Sequence, residues 1–259
     1  MKKIITLFTL SLLLLSASVG YSRSNEKDIP ATTPPSHEAW TKLLKKYVTP
    51  NGLVNYKGFI KDIKELDAYL ATLTNNPPDG SKWSKNEELA YWFNAYNAFT
   101  VKLITMHYPV SGIKKIGPDL QVIFVNTPWD KNFFKIGNAK FSLNDIEHKT
   151  LRKKFDEPRM HFALNCASIS CPKLRNEAYE ASKLESQLDD QARAFLSDKS
   201  KNIITPGKIQ VSKIFSWYGK DFTKSGGKID FLNKYAPVKI NRNADIDYLD
   251  YNWDLNEQK

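Results

Sequence analysis

Apolar residues recur at helical spacing from Trp40 onward. Trp40, Leu43, Leu44, Tyr47 and Val48 share one face, while Lys42, Lys45 and Lys46 fall on the wet side. Thr49-Pro50-Asn51-Gly52 stops that helix. Leu53 to Tyr56 reads as a short strand, and Phe59 to Leu73 as a second amphipathic helix through Ile63, Leu66 and Leu70. After a loop over Asn75–Gly80, Ser84 and Glu87 have capping-box spacing. The helix they predict runs to His107 and is apolar nearly all round from Leu89 to Phe99, which demands burial.

Beyond it, Leu120 to Val125 reads as a strand. Gly137-Asn138 is a turn pair between Phe133–Ile136 and Ala139–Phe141. Ser142 and Asp145 cap a further helix with Leu143, Ile146 and Leu151 inward. Pro158 breaks it, and Met160 to Asn165 alternates like a buried strand that ends at Cys166. Glu177 to Leu196 is mostly helix. Ile203-Ile204 and Ile209–Val211 form a hairpin across Pro206-Gly207. Short helices follow at Ser212–Tyr218 and Ile229–Tyr235. The C-terminus alternates, with Leu249, Tyr251, Trp253 and Leu255 on one side, as in a half-buried strand. Helices and strands mix without a βαβ rhythm. The expected class is α+β: one globular domain over residues 36–259, its buried central helix packed on a small, mostly antiparallel sheet.

The hydrophobic run Ile4 to Leu15, after Lys2-Lys3 and before small residues at 16–20, reads as a signal peptide over residues 1–20. Residues 21–35 hold three prolines and read as a flexible leader. The protein is therefore expected to be exported, to the periplasm or beyond. Net charge is +10, but the basic residues are overwhelmingly lysines. Base and phosphate readers favour forked arginine contacts, so no nucleic-acid partner is expected. A lysine-rich surface instead favours loose attraction to acidic envelope surfaces.

Chemistry concentrates in His161-Phe-Ala-Leu-Asn165-Cys166-Ala-Ser168-Ile-Ser170-Cys171, which contains both cysteines of the chain. In an exported protein the simplest reading is a Cys166–Cys171 disulfide, which would contribute roughly 2 kcal/mol by loop closure. A catalytic thiol is the rival, with Cys166 as nucleophile and His161 or His148 as base. Strand parity would put His161 and Cys166 on opposite sides unless the chain turns at Asn165. Zinc held by His161, Cys166, Cys171 and Glu147 or His148 is a third reading, although the spacing fits no standard zinc pattern, and inert buried thiols are a fourth. Metal and cofactor are accordingly expected to be absent. Glu147 points into an apolar face, where a carboxylate must be paired or neutral, with Arg152 or Arg159 as the expected partner. Asn94 and Asn97 lie three apart on the buried helix and need partners of their own. Asn97, Asn165, Ser168 and Ser170 complete the candidate binding set.

Four blocks carry a resemblance. They are Tyr91-Trp-Phe-Asn94-Ala-Tyr-Asn97-Ala98, Ser142-Leu-Asn-Asp-Ile-Glu147-His148, His161 to Pro172, and Ser212-Lys-Ile-Phe215 with Trp217-Tyr218 and Asp221-Phe222. In this order they resemble domain-of-unknown-function family 547 over about residues 89–235. The resemblance implies an exported bacterial member of a family without an agreed activity. It favours functional roles for Glu147, Asn94 and Cys166. Two function classes stay open: a binding or scaffold module with a polar core motif, or a thiol-dependent hydrolase or acyl transferase built on Cys166. No motif demands catalysis, which favours the first.

Overall fold

Ser84 opens the helix around which the other elements assemble. Its backbone N–H donates to Glu87 Oε2 at 2.6 Å, and the Glu87 N–H donates back to Ser84 Oγ at 3.3 Å. The computed structural model describes residues 33–117, 127–224 and 226–259. The expected signal segment, most of the leader and the Leu120–Val125 strand lie outside these residues.

The helices are α1 (Glu38–Tyr47), α2 (Tyr56–Lys61), α3 (Ile63–Asn75) and α4 (Lys85–His107), the last being the capped one. Then come the hairpin strands β1 (Phe134–Ile136) and β2 (Ala139–Phe141), and a π-helix, Asp145–Leu151, that runs into α5 (Arg152–Lys154). They are followed by α6 (Met160–Ala163), α7 (Leu184–Ser197), β3 (Ile203–Ile204), β4 (Lys208–Val211), α8 (Ile214–Trp217), α9 (Lys228–Leu232) and β5 (Asp245–Tyr248). The fold is a single α+β domain, with small sheets of two and three strands.

Helix α4 is buried from Glu88 through Val101, which its all-round apolar sequence requires. Phe99 stacks on Phe134 of β1 at 3.8 Å between ring centroids, and Trp92 meets Phe141 of β2 at 5.7 Å. Each fully buried aromatic contributes about 1.5–3 kcal/mol through area removed from water. The Tyr91 hydroxyl, which would otherwise be stranded, donates to the Leu73 carbonyl at 2.7 Å.

The second sheet has antiparallel β3–β4 and parallel β4–β5 pairings. Strand β5 covers only the start of the strand expected over Asp245–Leu255 and ends at Tyr248, before the alternating residues 249–255. The backbone there leaves the sheet to pair with the cysteine loop: Ile169 N donates to Asp254 O at 2.9 Å, and Asn256 N to Ala167 O at 3.3 Å. The helix read over 59–73 is divided at Asp62, whose carboxylate is held by Lys46 and the Tyr47 hydroxyl. The strand read at 53–56 reduces to bridges at Val54, with Val48 on one side and Glu257 on the other. Helix α7 starts at Leu184 rather than Glu177, because the Gln187 side chain ties down the Ala178–Glu180 backbone in extended form.

One correction bears on function. Met160–Ala163 is a helical turn, not a strand. Pro158 has no N–H that would need an acceptor, and its fixed φ suits a first helical turn. Met160 N then donates to Glu157 O at 3.0 Å, and Leu164 N to Met160 O at 3.1 Å.

Candidate functional site

Ser142 and Asp145 exchange cap hydrogen bonds, Ser142 N to Asp145 Oδ2 at 2.8 Å and Asp145 N to Ser142 Oγ at 3.1 Å. The π-helix that follows turns Ile146, Glu147 and Leu151 inward. Glu147 is only 6% exposed. The expected partners are engaged elsewhere. Arg152 Nε donates to Asp221 at 2.6 Å, and Arg159 is surrounded by Glu157, Glu185 and Asp189. Glu147 has no ion pair among the described residues; the Tyr218 hydroxyl is its neighbour. Burial, then that nearby carboxylate, pushes the Tyr218 phenol well above its usual range. His148 is exposed, and its Nδ1 accepts from Arg152 Nη1 at 2.9 Å.

On α6, His161 is almost fully buried and its Nε2 donates to Asp221 Oδ2 at 2.9 Å. Its ring lies against Tyr218 at 4.0 Å, nearly parallel. The His161 hydrogen bond, with Arg152 beside it, holds the Asp221 carboxyl well below the usual range. Asp221 was not among the candidate site residues; its place in the fourth block of the resemblance was the available signal.

The two buried asparagines of α4 do separate work. Asn97 Nδ2 donates to Ala163 O at 2.9 Å, and its Oδ1 accepts from Asn165 N at 2.9 Å, so it pins the exit of α6. Asn94 brackets the Tyr179 backbone at 2.8 and 2.9 Å and is not on the wall of the cavity described below. Asn165 folds the next turn, donating to Pro172 O at 2.7 Å and accepting from Ala167 N at 2.9 Å. Ala167 has φ +59°, a left-handed conformation that costs a side-chain-bearing residue about 1–2 kcal/mol. Ser170 Oγ lies on the outer side of the loop and accepts from Asn252 N at 2.9 Å.

This turn brings the sulfurs of Cys166 and Cys171 to 2.8 Å. The structure gives both as free cysteines, with the two sulfurs in direct contact. Cys166 N–H donates to Cys171 Sγ at 2.9 Å. Cys166 Sγ also meets Ser168 Oγ at 3.3 Å and the Tyr251 hydroxyl at 3.4 Å. The Cys171 hydrogen bond lowers the Cys166 pKa below that of an ordinary thiol, and the two hydroxyls add to it. Burial pushes the Cys171 thiol far up, with Cys166 reinforcing the effect. No cluster of three or more His, Cys, Asp or Glu side chains with metal-holding geometry occurs among the described residues.

Cys166, Cys171, His161 and Glu147 line one cavity of about 190 Å³. Because α6 is a helical turn, the parity that would separate His161 from Cys166 does not apply. The other walls are largely aromatic: Tyr96, Trp129, Trp217, Tyr218, Tyr251 and Trp253. None of these was singled out as a site residue from the sequence. Tyr251 and Trp253 arrive only because the C-terminal segment crosses the cysteine loop.

Residues 80–196 match the model of a family described as "Protein of unknown function, DUF547". No curated protein and no solved structure matches the chain.

Proposed function

We propose that the cavity is a thiol-dependent acyl-transfer site, with Cys166 as nucleophile and His161 as base, acting outside the cytoplasm. The observation that carries this reading is the pairing, in one cavity, of a thiol of lowered pKa with an imidazole fixed by a carboxylate. With Nε2–H directed at Asp221, Nδ1 is the nitrogen left to take a proton. His161 would take the thiol proton as Cys166 Sγ attacks a substrate carbonyl. The leaving amine or alcohol would depart with that proton, leaving a thioester. Water or a second acceptor, deprotonated by His161, would then release the acyl product and restore the thiol. The hydrophobic run of residues 4–15 supports the location.

The test is intact-protein mass spectrometry after incubation with a panel of activated acyl esters. An acyl adduct on Cys166 is expected, absent in Cys166→Ser and slowed about 100-fold or more in His161→Gln. Ester turnover unchanged in Cys166→Ser would overturn the reading.

A second reading, a binding module whose thiol is only a contact, is favoured by one observation. The hydrogen-bond partners of Cys166 Sγ are Cys171, Ser168 and Tyr251, none of them an imidazole. On this reading Cys166→Ser lowers the melting temperature and leaves cellular function intact.

A further inference from the structure

We infer that the cavity recognises an alkylammonium group, held between Glu147 and the aromatic walls. The inference rests on the reading that this cavity takes a substrate, but not on thiol chemistry there.

Glu147 is the starting point. It is 6% exposed, lines the cavity and makes no ion pair among the described residues. Arg152 acts on it electrostatically from nearby without forming a salt bridge to it, and a buried carboxylate with no directly paired charge is costly unless something charged or donating reaches it. The nearby guanidinium is committed elsewhere: Arg152 donates to Asp221 and His148 and lies over the Tyr218 ring at 5.1 Å. The Tyr218 hydroxyl supplies one neutral contact. The cavity side of the carboxylate is therefore where a cation would complete it.

The walls fit the same ligand. Trp217, Tyr251 and Trp253 form a continuous cluster, with ring centroids 4.5 to 5.7 Å apart, and Trp129 joins at 5.7 Å from Trp253. Indole and phenol faces attract an organic cation through their quadrupoles, and most strongly where water is excluded. Two of the wall rings already attract cations of the protein itself, Lys114 over Trp253 at 4.4 Å and Arg152 over Tyr218. A neutral apolar ligand would use the rings but gain nothing from Glu147. An anion would meet its charge.

Size sets the limit. About 190 Å³ is below the roughly 300–1,000 Å³ of pockets that enclose whole drug-sized ligands. The cavity takes one head group, with the rest of the ligand leaving past Trp217, which is 48% exposed.

The experiment is isothermal titration of the reduced full chain with choline and with 3,3-dimethylbutanol, its neutral isostere. Choline is expected to bind about tenfold or more tightly than the alcohol. Glu147→Gln should erase that preference, with folding verified by thermal melting. Trp217→Ala, at an exposed position, should weaken choline several-fold and serves if Glu147→Gln does not fold. Cys166→Ser should keep the choline preference, so loss of acyl transfer with retained choline binding separates the two readings. Equal binding of choline and the alcohol, or no binding of choline, would overturn the inference.

Discussion

Cys171 Sγ lies 2.8 Å from Cys166 Sγ; that contact lowers the pKa of the Cys166 thiol, while burial, reinforced by the contact, raises that of Cys171. A Cys171 S–H directed at the Cys166 sulfur stabilises the Cys166 thiolate, while burial raises the pKa of the Cys171 thiol. Iodoacetamide should therefore modify Cys166 first in reduced native protein. Its labelling midpoint should lie below the roughly 8.5 of a free thiol. Cys171→Ala removes the leading donor and should move that midpoint up. An unchanged pH profile in Cys171→Ala would mean that the dithiol contact does not set Cys166's reactivity.

Asn94 and Asn97 are chemically alike, buried, and one helical turn apart, yet only Asn97 supports the cysteine loop. Either alanine variant strands two buried backbone groups, at about 1–3 kcal/mol each. Both should lower the denaturation midpoint. Asn97→Ala should also shift the Cys166 labelling profile, whereas Asn94→Ala should not. Parallel behaviour of the two variants in labelling would show that the loop does not depend on Asn97.

The parts legible in the sequence were those decided locally. The Ser84 capping box, the all-round apolar pattern of α4 and the Gly137-Asn138 turn each act within a few residues. The inward Glu147 also followed from periodicity, because the π-helix begins only just before it. Met160–Ala163 failed because one helical turn is too short to show a period, and alternation over six residues imitates a strand. The aromatic wall was illegible for a different reason. Tyr251 and Trp253 reach the cavity by long-range backbone pairing between residues 252–256 and residues 167–170, which no local pattern encodes. Asp221 likewise acquires its role only by meeting His161 from 60 residues away.

His37, the N-cap of α1, offers a separate pH test. Its Nδ1 lies 2.7 Å from the Tyr69 hydroxyl, and burial lowers its pKa from 6.5 to about 4. Between those values the unfolded chain binds a proton that the folded chain refuses, so stability falls as pH drops from 6.5 toward about 4. Urea midpoints measured across this window should decline in the wild type and decline less in His37→Gln. Equal slopes would remove His37 from the acid response.

Asp221 separates positioning from thiol acidity. It accepts from His161 Nε2 and Arg152 Nε at once, and its depressed pKa contributes stability that is present above the usual carboxylate value of about 3.9. That contribution is lost as pH falls through the folded value. The site lies between a surface pair, worth about 0–1 kcal/mol, and a buried one, whose disruption costs about 3–5 kcal/mol. Asp221→Asn should therefore destabilise the protein by about 2 kcal/mol at neutral pH, with the difference shrinking in strong acid. The hydrogen-bond donors to Cys166 lie elsewhere, so iodoacetamide labelling of Cys166 should be unchanged. Acylation by an ester should slow about 100-fold, because His161 loses the carboxylate that orients it. Labelling and acylation falling together would show that Asp221 supports the loop as a whole. Acylation that holds steady would remove His161 as the base.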